Sequence, residues 1–289
     1  PTMQSNNPVF RRSEAFSGSN AHGNQSYGNS GYGSDPSQWG VGTPGDPQGT
    51  VYAPAPQAPS APMTIDSVVQ KTAITLGVVI VTAFATWSLL PEINETSAES
   101  AIGTVGAVAT FGALGAFVLS MVNAFKKVVS PALVLAFAAL EGVALGAISM
   151  IFNVAYPGVV QGAVIGTFAA FAGTLAAYKV LNIQVGDKFR RFVIAAVFGM
   201  IGLSLMELVL GLFGAQIGLF GVSGLGMITA VAGLVLGVFM LIMDFDFVEQ
   251  GIRYGAPERE SWTAAFAMTV SLVWIYTNLL RILAYFSQD

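Results

Sequence analysis

Residues 131–153 read PALVLAFAALEGVALGAISMIFN. Wound as an α-helix, this stretch is about 34 Å long, enough to cross the roughly 30 Å hydrocarbon core of a bilayer. It holds one ionisable side chain, Glu141, near its middle. Its flanks carry breaks: Lys126, Lys127 and Pro131 before it, Asn153 with Pro157-Gly158 after it.

Apolar runs of the same length recur on both sides, at 68–90, 101–123, 158–180, 191–213, 222–244 and 262–286. Together with 131–153 they predict an all-α integral membrane protein, a bundle of seven transmembrane helices. Composition agrees. Of 289 residues, 54% are hydrophobic and 10% charged, with a mean hydropathy of +0.66. Soluble domains carry about 25% charged residues, so this surface must largely face lipid. Residues 1–63, rich in Gly, Ser, Asn, Gln and Pro, bury too little apolar surface to offset chain entropy. They predict a disordered cytoplasmic tail ahead of a membrane domain at 64–289. No apolar stretch precedes residue 64, so no cleavable signal peptide is expected.

The basic residues set an orientation. Lys71, Lys126 and Lys127, then Lys179, Lys188, Arg190 and Arg191, then Arg253 and Arg259 fall at alternate ends of successive runs. The intervening loops carry no Lys or Arg. This pattern predicts a cytoplasmic N-terminus, an outer C-terminus and residence in the plasma membrane. A net charge of −4 offers no basic excess for nucleic acid. There is no cysteine, and the one histidine is His22 in the tail. Thiolate metal sites and intramembrane His-based catalysis are thereby excluded, and neither an enzyme nor a bound cofactor is expected.

Pairs of small residues four apart, Gly142/Gly146, Gly162/Gly166 and Gly233/Gly237, predict close helix contacts within a compact bundle. The ionisable residues inside the spans are the functional candidates, because each costs at least ~2.5–3.5 kcal/mol to insert. Glu141 lies roughly 15 Å into its helix and must be neutral or paired, which suits proton or cation handling better than a structural hydrogen bond. Glu207 and Arg281 lie at similar depth toward the outer side and are expected to form an ion pair. Asp244 shares a helix face with Met240, Gly237 and Gly233 and is the better candidate for a buried carboxylate. Asp246 groups with Glu249 and Gln250 in what reads as a polar loop at 245–260. Ser271, Trp274, Asn278, Arg281 and Tyr285 form one polar stripe on the last helix, either interhelical glue or the lining of a pathway. Trp87 and Trp262 read as interfacial anchors.

The segments MTIDSVVQKTAITLG (63–77), LIMDFDFVEQGIRYGAPERESWTAAFAMTVSLVWIY (241–276) and NLLRIL (278–283) resemble the Bax inhibitor family, most closely its bacterial branch. The resemblance spans about residues 63–286. It implies a bundle whose last helix is central and wrapped by the other six, and a pH-sensitive leak for calcium or other cations. It further implies a gate of two aspartates sharing a proton, one on helix six and one on helix seven. The first matches Asp244. Counting back from NLLRIL, the second falls at Ser271, a departure. The second carboxylate then comes from Asp246 or Glu141, or pH sensing differs. Two carboxylates close together cannot both ionise cheaply, and a basic neighbour such as Lys71 is expected to hold the gate closed. Asp244 and Glu141 are the candidate oxygen ligands for calcium as permeant ion. An alternative is a non-transporting scaffold or regulator of a stress-response or membrane-protease complex, with a protein partner on the tail or the 245–260 loop.

Overall fold

The computed structural model describes residues 61–93, 98–126, 129–215 and 217–288. The tail assigned to 1–63 lies outside them but for its last three residues, as does Lys127. Seven helices are long and apolar enough to cross a membrane: α1 (Ile65–Leu89), α2 (Ala98–Phe125), α3 (Pro131–Ala155), α4 (Val159–Val180), α5 (Asp187–Leu212), α6 (Gly224–Arg253) and α7 (Glu260–Phe286). Local chemistry sets several starts. Thr64 and Ser67 close a reciprocal capping box at α1, each side chain accepting from the other's backbone N–H at 3.1 Å. Pro131 opens α3, where a missing N–H costs nothing. Gly158, at φ +89°, turns the chain into α4 through a conformation that L residues avoid.

Two boundaries depart from expectation. α6 runs nine residues beyond 244, so most of the anticipated 245–260 loop is helix and Asp246 and Glu249 sit on it. The reason is apolar spacing: Phe245, Val248 and Ile252 continue the buried face and pack on Met63 and Tyr178. α5 begins at Asp187, so the charged run 187–191 forms its first turn.

Contacts give the helix directions. Thr72 of α1 meets Met268 of α7, and Phe137 and Ser149 of α3 meet Phe266 and Tyr276, so α1 and α3 run parallel to α7. Leu279 and Leu283 of α7 lie over Gly166 and Gly162 of α4, so α4 is antiparallel to it. The same holds for α6, whose Gly237 and Gly233 meet Ile275 and Asn278. α7 packs against α1, α3, α4 and α6, and is the central helix. α2 leans on α3, and α5 on α6. The last helix is thus wrapped chiefly by four helices, with α2 and α5 as an outer layer.

The glycine pairs act as close-approach points. A Cβ at Gly142 would strike Thr82 Oγ1 and the Val79 carbonyl, and one at Gly146 would strike the Ala83 carbonyl, seating α3 on α1. At Gly237 a Cβ would lie 2.6 Å from Ile275 Cγ1, so α6 can meet α7 only without one.

Candidate functional site: the seam between α6 and α7

The polar stripe of α7 faces α6. Ser271, 1% exposed, donates a 2.6 Å hydrogen bond to Asp244 Oδ2. Trp274 Nε1 donates to the Gly233 carbonyl at 2.8 Å, and Asn278 Nδ2 to the Trp274 carbonyl at 2.7 Å. Tyr285 lies beyond the seam, its ring against Phe286. Position 271 is therefore where helix seven meets Asp244, with a hydroxyl in place of a carboxylate. Asp244 makes no other side-chain hydrogen bond and no ion pair among the described residues.

Three sequence expectations are corrected by this geometry. Glu207 and Arg281 form no ion pair. α5 lies outside α6 and away from α7, so the two side chains each grip the α5–α6 connection instead. Glu207 Oε1 accepts from the Gly218 N–H at 2.7 Å, and its Oε2 is buried without a partner. Arg281 Nη2 donates to the carbonyls of Leu219 (2.9 Å) and Gly226 (2.8 Å) and to Thr229 Oγ1 (2.7 Å). Its Nη1 reaches Asn278 Oδ1 at 3.2 Å, and the guanidinium lies 5.2 Å from the Phe220 ring centre.

Asp246, expected in a solvated loop, is instead buried at 7% exposure. Its Oδ2 accepts from Arg190 Nη2 at 3.2 Å and from Gln250 Nε2 at 2.7 Å. Two consecutive acidic positions in MDFDF thus serve two neighbours, Asp244 facing α7 and Asp246 facing α5, as their roughly 200° separation on a helix requires. With its charge already matched by Arg190, Asp246 does not supply a second carboxylate to Asp244. Lys71, the third correction, does not reach Asp244 either. Its Nζ binds Glu258 Oε1 at 2.7 Å and lies 6.0 Å from the Trp262 ring.

Glu141 sits on α3 between Ala138 and Leu145, the face that packs toward Tyr276 and Leu280 of α7. It is partly buried and makes no hydrogen bond or ion pair among the described residues. No group of three or more His, Cys, Asp or Glu side chains able to hold a metal is present among the described residues. Asp244 and Glu141 are therefore not members of a larger carboxylate cage for calcium. As carboxylates of separate helices they suit transient, largely hydrated contact with a passing cation.

Sequence comparison adds the lineage. The chain matches the Bax inhibitor 1 like family across residues 7–288. It belongs to that family. Among curated proteins, none matches the chain. Membership fits the multi-pass, all-helical membrane fold.

The basic end of the bundle holds contacts that sequence reasoning missed. Tyr178 donates to Glu249 Oε2 at 2.8 Å, and Arg253 Nη2 to Glu249 Oε1 at 2.6 Å. Ser67 and Ser261 hydroxyls meet at 2.7 Å. Met63, 2% exposed, takes its N–H to the Ala256 carbonyl at 2.7 Å, while the Glu258 N–H reaches back to the Ala61 carbonyl at 2.7 Å. The chain entering α1 is thereby clasped to the α6–α7 turn. Only the apolar character of Met63 beside a polar tail hints at this in the sequence.

Proposed function

We propose that this Bax inhibitor 1 like protein is a cation leak pathway, calcium foremost, controlled by protons at Asp244. The supporting observation is the state of that carboxylate. It lies on a membrane-spanning helix, hydrogen-bonded only to the Ser271 hydroxyl, with no cationic side chain beside it among the described residues. An unmatched carboxylate at such a place needs a proton or a metal cation, and exchange between the two is the elementary step of proton-controlled permeation. Ser271 ties α6 to α7 through that same oxygen, so occupancy of Asp244 bears on the seam itself. Glu141, also without a partner, is a second stop on α3. In this reading the basic end faces the cytoplasm of a plasma membrane, following the positive-inside pattern.

Calcium flux into liposomes carrying the purified protein, followed across a pH series, tests this. Flux that varies with pH in the wild type and loses that variation in Asp244→Asn is the expected result. A wild type indistinguishable from empty liposomes at every pH overturns it. Because Ser271 has no carboxyl, the part of the pH response that Asp244→Asn removes should be that of one titrating group. Ser271→Asp should turn it into two coupled steps.

A second reading, a non-transporting regulator that recruits a protein partner, draws on the clasp between residues 61–63 and the α6–α7 turn. It gives the preceding polar segment a mechanical route into the bundle. Removal of residues 3–60 should then abolish partner recruitment while leaving flux untouched.

A further inference from the structure

Between α1 and α4, each packed on α7, lies a cavity of 430 Å³. We infer that this groove holds one acyl chain of a bilayer phospholipid, entering sideways from the leaflet on the Trp87 side.

Its walls are apolar: Val79, Ile80 and Phe84 on α1, Val164 and Phe168 on α4, with Val273 among the residues of its floor. The hydroxyls that line it are already engaged. Ser149 and Tyr276 hydrogen-bond each other at 2.6 Å, and Thr167 donates to the Ala163 carbonyl at 2.7 Å. A polar ligand would find little hydrogen-bonding capacity left there, whereas hydrocarbon loses nothing. The rim residues Phe84 and Phe168 are 74% and 53% exposed on a membrane-spanning surface, so the mouth opens into the bilayer.

Dimensions select the occupant. From Leu76 to Trp87 the groove follows α1 for about 16 Å, roughly half of a 30 Å hydrocarbon core and so one leaflet deep. A volume of 430 Å³ over that length averages about 26 Å² in section, about a third or less of a helix 10–12 Å across. The groove is too narrow to enclose a transmembrane helix of a second copy, and a single hydrocarbon chain fits within it. Trp87 closes the outer end, at the depth where indole rings sit beside lipid headgroups.

The test uses a phosphatidylcholine carrying a photoactivatable diazirine in its acyl chain, reconstituted with the intact protein, with labelled positions mapped by mass spectrometry. Adducts on Val273 and Tyr276 are expected, because Tyr276 is only 9% exposed and bulk lipid does not reach it. Val164→Trp, which fills the groove, should abolish those adducts. Ile165→Trp, the same bulk one residue away on the open lipid face, should leave them. Should Val164→Trp fail to fold, Ile80→Trp blocks the opposite wall.

Labelling confined to outward faces such as Phe111 and Phe198, with α7 clean, overturns the inference. So does α7 labelling by a diazirine fatty acid but not by the phospholipid, which would make the ligand a free acid. Covalent dimers captured through groove residues would likewise overturn it in favour of a second copy. No ion flux is read, so the result is independent of the conduction proposal.

Discussion

Two charges on one seam are treated in opposite ways. Arg281, near the C-terminal end of α7, is heavily engaged: two backbone carbonyls, a threonine hydroxyl, an asparagine oxygen and an aromatic face surround its guanidinium, and only Nε is buried without a partner among the described residues. Asp244, on the other half of the seam, has a serine hydroxyl. Both are ionisable residues within membrane-spanning helices, and insertion cost alone marks them equally. What separates them is how completely the protein replaces the lost water. A charge solvated mostly by fixed dipoles is a structural post. A charge solvated on one side is, on our proposal, the one that exchanges a proton or a cation.

That contrast can be broken by mutation, most sharply at Arg281. Arg281→Met removes several charged hydrogen bonds and leaves the Leu219 and Gly226 carbonyls to share the Thr229 hydroxyl, so the loss of stability should reach about 3 kcal/mol. Thermal melting of the purified protein in detergent measures it. Arg281→Lys, which keeps the charge but not the fork, should recover part of the loss. A fully stable Arg281→Met with altered flux would reverse the assignment and make Arg281 the working charge.

Asp244→Asn should behave in the opposite manner. The amide oxygen can still accept from Ser271, so the melting change should stay within about 1 kcal/mol, while flux and its pH dependence change. A large destabilisation would move Asp244 into the structural class. Arg190→Gln is comparable in size. Its guanidinium is 44% exposed, but removing it leaves the buried Asp246 carboxylate with Gln250 alone, so the loss should be about 1 kcal/mol in melting experiments. Glu207→Gln should be the mildest, within about 0.5 kcal/mol, since the amide oxygen still accepts the Gly218 N–H. A strong effect there would show that the carboxylate charge itself matters, through its unpaired Oε2.

The sequence carries the architecture better than the site. Apolar length marks every span, and the glycine pairs mark three helix contacts, because both depend on local composition alone. The end of α6 is misread for a physical reason. Asp246, Glu249 and Gln250 look like loop when counted by charge, yet Phe245, Val248 and Ile252 between them keep a helical face buried. Position 271 follows from the family resemblance, counted back from NLLRIL, and its hydroxyl does meet Asp244. The partners of Glu207 and Arg281 could not be reached that way. Equal depth in the membrane says nothing about lateral position, and α5 stands on the far side of α6. Backbone carbonyls, which took the place of the expected carboxylate, leave no mark in sequence at all. Lys71 and Arg190 were likewise visible as cations, but which carboxylate each would choose depended on the packing.

The clasp at the start of α1 sets where a load is felt. Residues 61–63 cross the α6–α7 turn and bury Met63 against Gly251, five residues beyond Asp246 and two beyond Glu249. A pull on the chain at residue 61 would therefore reach the α6–α7 turn before it reached α1, and would be delivered at the foot of α6, on the helix that carries Asp244.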